Sequence, residues 1–304
     1  MKIKLYGGIG NQLFQFAYLH NYLEKNNSNE LSFDFSLVTE TENIEAIVKN
    51  CPSSTGFYMD ISSNLKLKQS LMLAGRILRK VRMVDLNGLV PIPSSFEMHE
   101  KNEFTYRKVR VIPLFQSVPI KGFFQHWKYV ENVWESISKE IFAHLDAIEI
   151  EDHLVKILKD GCIVVHVRGG DYLDPKMQRI FGKLSWEYYD SAIKTVLSLT
   201  GNQFPIVVIS NDLGLARETF RNNSSDSMMF LDTKSQNAWQ ALKIMSLAKI
   251  VVTANSTFSW WGGYICHKMG GRAITPSPWF NNLSEDSEDG LHFPGFLRIE
   301  SRYS

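Results

Sequence analysis

The sequence predicts an α/β fold in two lobes, and three observations carry that expectation. The chain has 304 residues, enough for two domains of about 150 residues each. In its second half, short β-branched runs alternate with helical stretches, the pattern of a parallel sheet covered on both faces. At its start, an extended run passes through glycines directly into a helical pattern. Residues 1–155 are expected to form the N-terminal lobe and residues 156–304 the C-terminal lobe, with no Pro-, Gly- or Ser-rich linker between them.

The elements follow in order. Residues 2–6 read as a strand. A helix follows over 11–25, where Leu13, Phe16, Ala17 and Leu23 recur near helical spacing and Asn11 is the expected N-cap. A second strand falls at 31–35. Residues 39–100 give mostly loop signals, with one helix at 65–82. Residues 109–112 and 120–124 read as extended and 128–144 as helical. Beyond them, strands are expected at 162–167, 206–210, 228–231, 250–253 and 272–275. Helices are expected between and after these, at 186–199, 213–221, 237–248 and 258–268.

Composition excludes several classes. Hydrophobic residues make up 44% and charged residues 21%, with no repeat or low-complexity tract, so the chain is not disordered, collagenous or coiled-coil. A formal net charge of +1 gives no global attraction to nucleic acid. Cys51, Cys162 and Cys266 are widely spaced, without CxxC, and read as buried apolar side chains rather than a disulfide framework or zinc site. The first residues lack a signal-peptide run, and no stretch approaches the ~18 apolar residues of a membrane span. The expected setting is the cytoplasm, with the sequon at Asn255 unmodified. In the helix at 65–82, Lys66, Lys68, Arg76, Arg79, Lys80 and Arg82 occur without an acid. It is either a solvated or packed helix or a peripheral contact with the anionic inner face of a membrane.

Ligands of parallel α/β sheets bind beyond the carboxyl ends of the strands, and four motifs fall there. Gly7-Gly8-Ile9-Gly10-Asn11-Gln12 joins a strand to a helix, and is either a tight turn or a phosphate cradle at a helix start. His166-Val167-Arg168-Gly169-Gly170-Asp171 ends an apolar strand. Alternation puts His166 and Arg168 on one face, and a guanidinium there can hold phosphate through paired hydrogen bonds. Asp171 is alternatively its ion-pair partner. Ser210-Asn211-Asp212 ends another strand, as a helix cap or a ligand contact. Ala254-Asn255-Ser256-Thr257-Phe258-Ser259 opens a helix and makes a second anion site. Trp260 and Trp261 beyond it either pack between lobes or stack on a ligand.

Taken together and in this order, GGIGNQLFQFA, HVRGGDY, ISNDL and ANSTFSWWGG resemble the bacterial α-1,2-fucosyltransferase family, glycosyltransferase family 11. The resemblance extends to Gly122-Phe123-Phe124-Gln125, to Leu184 with Tyr188-Tyr189 and Ala192-Ile193, and to Pro276 with Trp279-Phe280. It implies a GT-B fold, two Rossmann-like lobes with a cleft between, the C-terminal one holding most of the donor and the N-terminal one facing the acceptor. It also implies GDP-fucose as donor, inversion at the anomeric carbon, and no metal or other cofactor. The acceptor is a glycan, such as galactose in a surface polysaccharide or O-antigen repeat, lipid-linked if the membrane contact holds. Arg168 matches the arginine that contacts the donor's phosphates, and Asn11, after Gly8 and Gly10, looks toward the same phosphates. His166 and Asp171 complete the arginine's motif. Ser256, Thr257, Phe258 and Ser259 match the phosphate and nucleoside pocket, and Asp212 an acidic position near the nucleotide.

The chain departs from the family pattern twice. Gly169 stands where a second arginine is usual, and Ala241 replaces an acid suited to guanine's N–H groups. These departures motivate an alternative GDP-linked deoxysugar donor such as colitose; a non-catalytic sugar- or nucleotide-binding protein is the further alternative. For a transferase, Arg168 is the first candidate to stabilise charge on the departing diphosphate, followed by Asn11 and the turn at 256–259. The base that takes the acceptor's proton is either Asp171 or a donor phosphate oxygen. The acidic run at 285–289 reads as a solvated loop.

Overall fold

The computed structural model describes residues 2–26, 32–38, 43–50, 89–92, 97–100, 104–107, 119–170, 174–221, 228–232, 237–281 and 289–303. The expected helix at 65–82, the extended run at 109–112, Cys51, Asp171 and residues 285–288 of the acidic run lie outside them. The chain divides into two compact units, Met1–His144 and Leu145–Ser304.

The first unit contains β1 (Lys2–Tyr6), α1 (Ile9–Asn26), β2 (Ser32–Leu37), α2 (Glu45–Asn50), β3 (Leu89–Ile92), β4 (Glu97–Glu100), β5 (Pro119–Lys121) and most of α3 (Trp127–Asp146). Its strands form a sheet in the order β2-β1-β5-β4-β3, parallel except for the β3–β4 pair. Val130, Val133, Ile137 and Ile141 recur every three or four residues along α3 and are buried, the apolar stripe that fixes such a helix. Helix α1 begins two residues before Asn11. The Gly8 carbonyl accepts the Asn11 and Gln12 N–H groups at 2.9 and 3.1 Å. Gly8 therefore holds the cap position and Asn11 lies in the first turn, which corrects the expectation that Asn11 is the N-cap.

The second unit contains α4 (Asp152–Asp160), β6 (Ile163–Val167), α5 (Pro175–Phe181), α6 (Trp186–Thr200), β7 (Ile206–Ser210), α7 (Leu213–Thr219) and β8 (Met228–Asp232). It continues through α8 (Ala238–Leu247), β9 (Ile250–Val252), α9 (Thr257–Lys268), β10 (Arg272–Ser277) and β11 (Leu297–Glu300). Its sheet has six strands in the order β11-β10-β9-β6-β7-β8, and every pair is parallel. The chain runs outward through β6, β7 and β8, then returns beside β6 and runs outward the other way. The reversal between β6 and β9 is a topological switch point, where open parallel sheets bind ligands.

Both faces of this sheet are covered. On one, Val165, Val167, Val208 and Val252 pack against Tyr188, Tyr189 and Ala192 of α6 and Leu215 of α7. Each fully buried aliphatic side chain contributes about 1.5–3 kcal/mol. On the other, Gly263 of α9 lies so close to the strands that a Cβ would meet Thr253 Cγ2 at 2.9 Å and Ala273 Cβ at 3.1 Å. Both units are α/β, each a largely parallel sheet with helices packed on it, the lobe plan of GT-B enzymes. Cys162 and Cys266 are buried and free, and burial pushes both thiols up to about 12.

Candidate functional site

The switch point gathers two of the four motifs. Val165 of β6 pairs with Val252 of β9, so Arg168 and Asn255 each lie three residues beyond a paired position. Both line one small cavity, with Lys183, Leu184, Tyr189 and Ala254 among its other walls. Two tyrosines of α6 fix the main chain here. The Tyr188 hydroxyl donates to the Thr253 carbonyl at 2.7 Å, and that of Tyr189 to the His166 carbonyl at 3.3 Å. Burial raises both phenols, so they stay protonated as donors.

The turn before α9 is held from within. Asn255 is 2% exposed, and its Nδ2 donates to the Phe181 carbonyl at 2.7 Å and the Trp279 carbonyl at 3.2 Å. An amide so engaged is no glycosylation acceptor. Ser259 Oγ accepts the Ala254 N–H at 2.8 Å and is fully buried, so it shapes the turn rather than facing solvent. Ser256 occupies the N-cap of α9 without a side-chain capping bond. Thr257 and Phe258 are half-buried. A helix start of this kind favours an anion through its N–H groups and dipole.

His166 packs its ring against Phe258, with centroids 5.6 Å apart. Burial, and secondarily the Arg168 charge, lowers its pKa to about 3, so it is neutral at working pH and fills the site as a packed ring. Burial likewise lowers His20 to about 4. Below pH 6.5 the unfolded chain binds protons at these histidines and the folded chain does not. Stability is therefore expected to fall as pH drops from 6.5 toward 4, by about 1 kcal/mol per pH unit for each histidine. Urea midpoints at pH 7, 6 and 5 check this, and His166→Asn should flatten the slope.

The other motifs contribute differently. The Gly169 N–H donates to Asn211 Oδ1 at 2.9 Å, and a Cβ at Gly169 would lie 2.5 Å from the Asp212 Cβ. The segment Ser210-Asn211-Asp212 thus fills the space a side chain at 169 would need. Asp212 Oδ1 accepts the Leu215 N–H at 3.0 Å, capping α7. Ala241, in the first turn of α8, is fully buried. Trp260 and Trp261 are also fully buried. Trp260 stacks on Tyr264 at 4.9 Å and donates Nε1 to the Leu291 carbonyl at 2.8 Å. Trp260 and Trp261 pack on each other and on Tyr264 within the second unit, and their full burial replaces the expectation of ligand stacking.

In the first unit the glycine turn is held by buried amides. Gly7 has φ +78°, and a Cβ there would lie 2.5 Å from Asn11 Nδ2, so only glycine lets Asn11 fold over the turn. Gln12 Nε2 donates to the Gly7 carbonyl at 2.8 Å, while its Oε1 accepts the Ile44 N–H at 3.2 Å. Gln15 Nε2 donates to the Gly122 carbonyl at 3.0 Å. Gln125 Nε2 donates to Asn11 Oδ1 at 2.8 Å, which orients the Asn11 amide. Gly8 is exposed, and Gly10 is buried within α1. If Asn11 acts on the substrate, Gln125→Leu should lower kcat about tenfold while leaving the thermal midpoint within a few degrees. Parallel kinetics and melting curves check both.

Sequence reading did not single out Asn255, Lys183 or Gln125 as site residues. Asn255 and Gln125 fall in motifs it quoted; Lys183 carried no signal. Among the described residues, no three His, Cys, Asp or Glu side chains gather into a metal-binding group, and no helix is long and apolar enough to cross a membrane.

An all-parallel sheet in this strand order, with a cation and an uncapped helix start at its switch point, defines a nucleotide-handling α/β protein. Comparison with known proteins makes this specific. The profile of glycosyl transferase family 11 matches residues 68–288, and the chain belongs to that family: it is a glycosyltransferase, with a nucleotide-sugar donor and a glycan acceptor. An α-1,2-colitosyltransferase of Escherichia coli is 27% identical over 94% of both chains. WbnK, an O-antigen biosynthesis glycosyltransferase of Escherichia coli, is 25% identical over 94% of this chain and 97% of that one. Among solved structures, a family 9 glycosyl transferase of Veillonella parvula aligns with TM-score 0.48 and 10% identity, covering 100% of this chain and 87% of that one.

Proposed function

We propose that this glycosyltransferase moves L-fucose from GDP-fucose to a hydroxyl of an acceptor glycan, α-1,2 to galactose in a surface polysaccharide or O-antigen repeat, with inversion. The observation that carries the reading is the convergence of Arg168 and the turn at 254–259 on one switch point. The C1–oxygen bond breaks with its electron pair passing to the β-phosphate oxygen, while the acceptor oxygen bonds C1 from the opposite face and releases its proton. Groups fixed at the developing phosphate charge stabilise the transition state more than the ground state. Arg168 takes that role first, with the α9 start and the Asn11 amide as further donors and Asp212 near the nucleotide. Asp171 or a phosphate oxygen accepts the proton.

A second reading keeps the site and takes GDP-colitose, whose sugar lacks the 3-hydroxyl of fucose; the 27% identical colitosyltransferase supports it. Assays with both donors, products read by mass spectrometry and NMR, decide between them. Turnover with neither would overturn both. The reaction is proposed to need no divalent metal: full rate in excess EDTA is expected, and loss restored by manganese would refute it. The basic run at 65–82 is proposed to contact anionic lipid, as suits a lipid-linked acceptor at the inner membrane face. Co-sedimentation should be greater with anionic than with neutral liposomes, and equal recovery would count against it.

A further inference from the structure

Strand β11 forms one edge of the second unit's sheet. Its inner side pairs with β10, Leu297 beside Ile274 and Glu300 beside Ser277. The Ser301 N–H turns inward to the Ser277 carbonyl at 3.0 Å, whereas the Arg302 carbonyl turns outward and accepts the Ser185 N–H at 2.7 Å. Main-chain groups alternate in direction along a strand, so Arg298 and Glu300 turn their N–H and C=O groups outward, as Arg302 does. Past Glu300 the edge is taken, because Leu184 bridges to Tyr303. Along 298–300 it pairs with no described strand, and such an edge is a template for another chain.

The charge of this edge is self-complementary. Alternate side chains share a face, so Arg298 and Glu300 lie together, and both are exposed. Among the described residues Arg298 makes no ion pair, and Glu300 meets the equally exposed Arg302 at 3.9 Å, a contact worth little in water. Ile299 between them turns to the other face and packs on the core under α6. An antiparallel copy centred on Ile299 sets Arg298 opposite Glu300 of the second copy, and Glu300 opposite its Arg298. Both cross-strand pairs are then attractive, and the outward main-chain groups of both residues are bonded. Sliding the copy by two residues sets arginine against arginine in one direction and glutamate against glutamate in the other, so charge pins the register. Next to the edge, Leu199 and Leu297 are 61% and 40% exposed and line one cavity, apolar surface against which a second chain would lie.

We propose that β11 pairs antiparallel with β11 of a second copy of this chain, giving a two-fold dimer whose sheets join edge to edge. Charged residues commonly blunt an edge; here each meets its opposite in the two-fold pairing.

The test is sedimentation equilibrium of the full chain, for wild type, Arg298→Glu, Glu300→Arg and the variant carrying both exchanges. Wild type is expected to dimerise, more weakly at high salt. Each single reversal turns both cross-strand pairs from attraction to repulsion and should raise the dimer dissociation constant about tenfold or more. The double exchange should restore the wild-type value. A mixture of Arg298→Glu and Glu300→Arg should form a mixed dimer, because each strand then carries a single sign. Melting curves should coincide for all four proteins, since both side chains are exposed. A wild type that stays monomeric up to about 100 μM would overturn the proposal and leave the edge to an extended segment of another protein. A dimer that neither reversal weakens would place the contact elsewhere and overturn it too, as would single variants that neither the double exchange nor the mixture rescues.

Discussion

Arg168→Ala is expected to leave a folded protein whose transfer rate is lower by a factor of about a hundred to a thousand. The magnitude follows from the position of the side chain. It stands just past the end of β6 at the switch point of the second unit's sheet, where a diphosphate leaving group would develop charge. Removing one preorganised donor of that kind typically costs ~2.7–4 kcal/mol in the barrier. The fold should survive because Arg168 is half-buried beyond the end of β6, while the core beneath it is apolar. Arg168→Lys should fall between the two, since it keeps the charge and loses the planar fork. Turnover under saturating donor, beside circular dichroism melts, separates chemistry from folding; an unchanged kcat in a folded Arg168→Ala protein would sink the assignment.

The central strands of the second half were legible because they are rich in β-branched residues. Ile163–Val167 and Ile206–Ser210 are buried along their whole length, and a strand buried on both faces shows its identity as composition. Elements without an apolar signature were not legible. Helix α5 buries no residue and so carries no periodicity. The β11 strand, Leu-Arg-Ile-Glu, is mostly exposed, and β4, Glu-Met-His-Glu, reads as loop. Asn11 was misread as a cap because asparagine favours that position, whereas the turn hands the role to Gly8 and leaves Asn11 to Gln125. Arg168 and the serine turn were recognisable as chemistry at strand ends. That Arg168 and Asn255 share a cavity was not, because strand order is a property of the sheet and leaves no mark in local sequence. Lys183 shows the same limit: its place depends on partners at 255, 302 and 303, and its neighbours in sequence say nothing of them.

Asn255→Ala is expected to damage stability and donor binding together. Its amide satisfies two carbonyls, Phe181 at 2.7 Å and Trp279 at 3.2 Å, from a position 2% exposed. Truncation strands both acceptors where water reaches poorly, at about 1–3 kcal/mol each. The same two bonds tie the segment leading to Lys183, and the residue before Phe280, to the turn that opens α9. Their loss should loosen one cavity wall and raise the donor KM several-fold, beyond what a lower melting point alone would do. Asn255→Asp sharpens the comparison. It keeps the shape of the side chain but replaces the N–H donors with a carboxylate oxygen facing two carbonyls, so it should be at least as destabilising as alanine. Denaturant unfolding and donor titration on the same preparations check both effects. If Asn255→Ala unfolds at the wild-type midpoint and binds GDP as tightly, the amide does not hold the turn. The shared cavity would then be kept by the Tyr188 and Tyr189 hydroxyls at the two strand ends and by the ties of residues 184 and 185 to Tyr303 and Arg302.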